Sequence, residues 1–99
     1  MIPKSHVYFM TNKNNSVIYI GVTSNLKQRI HQHKTKVFAG FSSKYNCDKL
    51  VYFEEYENIN EAIIREKQLK SGNRTRKEKL VVLNNSSWED LAKDWVFHF

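Results

Sequence analysis

Two short runs of β-branched and aromatic residues, His6 to Met10 and Val17 to Val22, flank the turn-rich stretch Thr11-Asn12-Lys13-Asn14-Asn15-Ser16. Such runs, bounded by turn formers, predict a β-hairpin. A hairpin fixes which side chains can share a face. With a four-residue loop, Tyr8 lies directly opposite Tyr19, and both rings leave the same side of the sheet. Gly21 is expected to end the second strand, and Thr23 or Ser24 to cap a helix beginning near Asn25. Phe38 to Asp48, with Gly40, two serines and an asparagine, reads as a loop, and Lys49 to Tyr56 as a third strand. Asn58 or Asn60 caps a helix over Ile59 to Lys70, which Ser71-Gly72-Asn73 stops. Thr75 to Leu83 then reads as a third helix, and Trp88 to Trp95 as a short fourth one. The expected architecture is α+β: one domain over all 99 residues, with a small three-stranded antiparallel sheet covered by helices.

Polar residues interrupt the apolar pattern at specific places. Ile59, Ala62, Ile63 and Leu69 recur at helical spacing and form one stripe, yet Glu66 stands in the middle of it with Lys70 one turn on. Glu61, Arg65, Lys67 and Gln68 fall on the other side, where solvation explains them. A carboxylate facing the interior is costly unless it is paired or binds a cation. An ion pair with Lys70 at i+4 is the plainer account of Glu66 and explains the spacing. Leu26 to Lys34 repeats the anomaly, with Arg29 and His33 flanking the inward side marked by Leu26 and Ile30. The four residues Arg29, His33, Glu66 and Lys70, downstream of two strand tyrosines, read together as a built site. Each also has a bland reading: Arg29 as an aliphatic stem over Leu26, His33 as a surface histidine, the tyrosines as sheet packing.

Charge narrows the function classes. Sixteen Lys and Arg against ten Asp and Glu give a net charge of +6, which favours phosphate-rich partners: nucleic acid first, an acidic membrane surface second. Lys34, Lys36 and Lys44 border the loop after the first helix, and Arg74, Arg76, Lys77 and Lys79 follow the Glu66 helix. Such clusters suit contacts along a nucleic-acid backbone. No helix-turn-helix or zinc finger is present, so selection depends on shape or on a protein partner that confers specificity. The single Cys47 rules out an internal disulfide and suits a reducing cytosol. There is no apolar run long enough to span a membrane and no signal-peptide pattern at the start, so a cytoplasmic protein is expected. His31 and His33, two apart, point to different helix faces, and a zinc site is not expected.

Val7-Tyr8-Phe9, then Tyr19-Ile20-Gly21, then an arginine eight residues past that glycine, resembles the GIY-YIG nuclease domain. Arg29-Ile30-His31-Gln32-His33 is similar to that family's RxxxH helix, and Arg65-Glu66-Lys67-Gln68-Leu69-Lys70 to its metal-site helix. Asn85-Ser86-Ser87-Trp88 is similar to the Asn-Pro-x-Trp segment of its small stand-alone bacterial members, with the proline missing. The first motif is Val-Tyr-Phe in place of Gly-Ile-Tyr and keeps one tyrosine. The resemblance spans nearly the whole chain and implies a Mg2+- (or Mn2+-) dependent phosphodiesterase acting on DNA in preference to RNA. It implies Glu66 as the metal ligand, Arg29 against the scissile phosphate, Tyr8 or Tyr19 as base, and His33 orienting a tyrosine or passing a proton. It also implies Lys70 and Asn85 as supporting or phosphate-contacting groups. Two other classes compete: a non-catalytic nucleic-acid-binding module on the same fold, and a protein-interaction domain anchored by the aromatics near Trp95, Phe97 and Phe99. Those aromatics fit a tail packed on the core equally well.

Overall fold

The protein is described here by a computed structural model that covers residues 4–37 and 40–98, so Phe38 and Ala39 of the expected loop and Phe99 of the expected anchor lie outside the described residues. Three antiparallel strands, β1 (Ser5–Thr11), β2 (Ile18–Thr23) and β3 (Lys49–Tyr56), pair in the order β2-β1-β3. Helices α1 (Leu26–Lys34), α2 (Phe41–Lys44), α3 (Ile59–Ser71) and α4 (Arg74–Asn84) complete the described elements. The α+β architecture expected from the sequence is the one observed.

The central position of β1 explains its composition. A strand with neighbours on both edges and layers on both faces needs apolar side chains of both parities, and Val7, Tyr8, Phe9 and Met10 are all fully buried. Val7 and Phe9 join Ile20, Ala62, Leu69 and Val81 in a core beneath α3 and α4. Tyr8 and Met10 join Leu26, Ile30, Cys47, Leu50 and Ala92 in a second core beneath α1 and the C-terminal segment. Cys47 is therefore a buried packing residue. Burying one such aliphatic side chain is worth about 1.5–3 kcal/mol.

The hairpin register differs from the expected one. Tyr8 pairs with Gly21 and Met10 with Tyr19, and the last paired residues, Thr11 and Ile18, enclose six loop residues. Asn12 accounts for the longer loop: its side-chain oxygen accepts from the Val17 N–H at 3.1 Å and its amide donates to Ser16 Oγ at 2.7 Å. Asn15, at φ 59°, makes the reversal. The shift is by two residues, so parity is kept, and Tyr8 and Tyr19 share a face as diagonal neighbours. Gly21 lies inside β2, not at its end. A Cβ there would stand 2.3 Å from the Tyr8 hydroxyl, so the Tyr8 ring crosses the sheet in space that only glycine leaves.

Helix starts follow an asparagine rule. Asn25, Asn58 and Asn73 cap α1, α3 and α4, each side chain accepting a backbone N–H of the first turn. Thr23, expected as a cap, instead bonds the backbone of Asn25. The loop after α1 contains the single-turn α2. The short helix expected over Trp88 to Trp95 is absent. That segment runs along β3, where the Leu91 N–H donates to the Leu50 carbonyl at 2.7 Å and Asp90 Oδ1 accepts from the N–H groups of Leu50 and Ala92. Pairing with the sheet edge satisfies backbone groups that a helix would have satisfied internally. Trp95 and Phe97 are half-buried against the second core, so they pack as a tail and do not form an exposed anchor. Among the described residues no helix is long and apolar enough to cross a membrane.

Candidate active site and nucleic-acid interface

Because β1 and β2 place Tyr8 and Tyr19 on the face covered by α1, His33 on the last turn of α1 meets both. The three ring centroids stand 5.3–6.3 Å apart. Tyr8 Oη and His33 Nε2 are 2.8 Å apart in a buried hydrogen bond, and His33 Nδ1 is 3.1 Å from Ser42 Oγ on α2. Burial, with the positive charge of Arg29 second, pushes the His33 pKa down to about 4, so the ring is neutral near pH 7. A neutral ring has one N–H and one lone pair. With the proton on Nδ1 it donates to Ser42 and accepts from the Tyr8 hydroxyl; with the proton on Nε2 both directions reverse.

The two tyrosines differ. Tyr8 is fully buried, and its pKa is raised, first by burial and then by Tyr19, with the Arg29 guanidinium acting in the opposite sense. Its hydroxyl stays protonated. Tyr19 is half-exposed and lines a hollow of about 240 Å³ together with Ile18, Ile20, Lys70 and Lys77. Arg29 is half-buried one turn before His33 on α1.

Glu66 stands where the stripe argument puts it: its side chain keeps 15% of its exposure, and among the described residues its partner is Lys70, Nζ to Oε2 3.5 Å. Lys70 does not. Its side chain is 54% exposed, and it reaches back to Glu66 from solvent. A pair with one half-exposed member at that distance is worth less than about 1 kcal/mol and does not explain the withdrawn carboxylate. A carboxylate mostly removed from water and under-compensated suits a hard cation such as Mg2+, which commonly takes one protein carboxylate and keeps its waters. Among the described residues no group of three or more acidic, His or Cys side chains gathers around it.

Several basic residues of the expected binding track have internal partners. Lys34 bridges the Asp90 carboxylate and the Asp48 carbonyl, the latter at 3.0 Å. Arg74 sends its guanidinium to the carbonyls of Ser16 (2.9 Å) and Asn15 (2.5 Å) and to Glu78 (2.8 Å). Both are structural ties. Lys44 and Arg76 are exposed, and Lys77 faces the Tyr19 hollow. Asn85, expected to support the site or contact phosphate, is buried with its amide donating to the Val51 and Glu89 carbonyls and its oxygen accepting from the Glu89 N–H. Val51 is the extra residue of a bulge opposite Phe9 and Met10, so Asn85 acts as a clamp on irregular backbone.

Two features escaped sequence reasoning. Ser42 lies in a stretch with no periodic pattern to single it out. Arg65, read as solvated, instead forks onto Glu54 at 2.9 and 3.2 Å. Burial alone would raise the Glu54 pKa, but hydrogen bonds from Arg65, Tyr52 and Tyr56 hold it below the usual range. This cluster packs on the α3 face, away from Tyr8, and ties α3 to β3.

Residues 4–79 match the GIY-YIG catalytic domain. A UPF0213 protein of Clostridium perfringens is 34% identical over 90 residues, covering 91% of this chain and 96% of the relative. One from Limosilactobacillus reuteri is 35% identical over 81 residues, covering 80% and 83%. The solution NMR structure of a UPF0213 protein from Bacillus halodurans is similar with a TM-score of 0.56 at 26% identity, covering 95% of this chain and 99% of that one. None of these relatives' names states an activity.

Proposed function

Since the chain belongs to the GIY-YIG catalytic domain family, we propose that it is an endonuclease hydrolysing phosphodiester bonds in DNA with a divalent cation, Mg2+ or Mn2+, and with little base-sequence selectivity. The observation that carries this reading is the buried Tyr8–His33–Ser42 chain beside Tyr19 and Arg29; the under-compensated Glu66, on the α3 side of the sheet, is linked to it through Lys70, which shares the Tyr19 hollow. Tyr19, half-exposed between two lysines, is the phenol that reaches the scissile group. Tyr8, wholly buried and hydrogen-bonded to His33, positions it and keeps the floor of the site dry. Lys70 and Lys77, sharing the hollow with Tyr19, hold the phosphate backbone, and Arg29 offsets charge that develops on the phosphate. Glu66 would hold the cation, which when bound supplies positive charge against the phosphate oxygens.

Glu66→Gln separates an enzyme from a scaffold, because it keeps shape and removes charge. The expected result is loss of cation-dependent cleavage by orders of magnitude, unchanged DNA affinity in the absence of metal, and a melting free energy within about 1 kcal/mol of the parent. Retained cleavage together with a large fall in stability would show that Glu66 is a structural ion-pair partner and overturn the assignment.

A further inference from the structure

A second hollow, of about 430 Å³, lies beside the hairpin loop and is lined by Asn12, Lys13, Asn14, Tyr45 and Asn46. It belongs to none of the site residues above. Its size falls in the range that takes one small organic ligand, and its walls have a definite chemistry. Tyr45 is 40% exposed, the Lys44 ammonium lies 5.5 Å from its ring centroid, and Lys13 stands on the rim. Asn46, at φ 55°, occupies the left-handed turn that follows. Lys13 also borders a neighbouring hollow lined by Lys34, Asp48, Lys49 and Asp90, where two aspartates balance the two further lysines, so the positive charge is concentrated beside the ring.

An exposed aromatic ring set among cations and side-chain amides is the arrangement that receives an unpaired base: the ring stacks, the ammonium groups take the flanking phosphates, and amides meet base edges. A duplex presents no unstacked base to such a ring. The location is also informative. Cys47, two residues after Tyr45, packs in the same core as Tyr8, and Ser42, three residues before it, holds His33. The hollow therefore adjoins the face that carries the two tyrosines, at the hairpin's loop end.

We propose that Tyr45, with Lys13 and Lys44, is a stacking platform for one unpaired nucleotide of the DNA, so that the favoured substrate has a single-stranded segment next to the bond that is cut. This rests on the nuclease reading for its substrate, and the binding arm of its test is read without cleavage.

The probe is a short single-stranded oligonucleotide containing 2-aminopurine, compared with the same sequence as a duplex, titrated onto the metal-free protein. The parent and Tyr45→Phe should quench the base fluorescence on binding; Tyr45→Leu should not, and its affinity for the single strand should fall about tenfold or more. Its affinity for the duplex should stay within about twofold, and its melting temperature should match the parent. Quenching that survives in Tyr45→Leu, or equal losses on single strand and duplex, overturns the platform. If quenching follows the ring as stated and no DNA is cut with Mg2+ or Mn2+, the platform stands and the nuclease reading fails. If duplex is cut with no single-strand preference in any variant, the nuclease reading stands and the platform fails.

Discussion

His33 shows what a single residue records and what it conceals. Its place one turn past Arg29 on the inward side of α1 was legible, because helical periodicity needs only the sequence. Its partner Ser42 was not, since nothing in an aperiodic loop announces which hydroxyl will meet a ring nine residues away. Lys70 is a related case: periodicity gives the angle of a side chain around α3 but not how far a long side chain extends from the helix into solvent. The burial of His33 has a measurable result. Its folded pKa, about 4, lies below the ordinary value of 6.5, so between these values the unfolded chain binds the proton that the folded chain refuses. Stability from this group is therefore whole above about pH 6.5, falls as pH drops toward 4, and levels off below. The loss should be on the order of 3 kcal/mol. Denaturant midpoints from pH 7 to 4 for the parent and His33→Gln test this, and equal pH slopes in the two proteins would sink it.

Among the elements, strands and long helices were legible, because β-branched runs and apolar spacing are local signals; β3 and α3 lie within a residue of their expected bounds. The hairpin register and the C-terminal segment were not. Both depend on side chains that replace backbone pairing, Asn12 in the loop and Asp90 beside β3, and the propensity of Trp88 to Trp95 for helix gave way to an unpaired sheet edge. Asp90 joins three elements at once, taking Lys34 from α1, the Leu50 N–H from β3 and the Ala92 N–H from its own turn. Asp90→Ala strands a three-quarters-buried ammonium and a backbone donor. It should destabilise the fold by about 2 to 4 kcal/mol, a drop of about 10 °C or more in melting temperature for a chain this size. A change of only a degree or two would mean that the segment rests on β3 without holding it.

For the whole molecule, the net charge of +6 announced a phosphate-rich partner but could not say which cations remain available once the chain has folded. Of the eight basic residues placed on the binding track or beside the site, Lys34 and Arg74 are tied within the fold and Lys36 pairs with Asp48 at 3.7 Å, which leaves Lys44, Lys70, Arg76, Lys77 and Lys79. Five phosphate contacts give a slope of about −4.5 for log affinity against log salt on duplex DNA, and eight would give about −7.2. Binding titrations of the metal-free protein between about 50 and 200 mM salt distinguish them, and the steeper slope would return Lys34, Lys36 and Arg74 to the interface. Arg74 has a further role that a census of charges misses. Its guanidinium grips the hairpin loop from a helix 58 residues later in the chain, and that loop carries Asn12, Lys13 and Asn14 while the same helix carries Lys77 beside Tyr19. Loop and helix are thus tied at one guanidinium, so the Lys77 contact and the Lys13 platform proposed above share a single support.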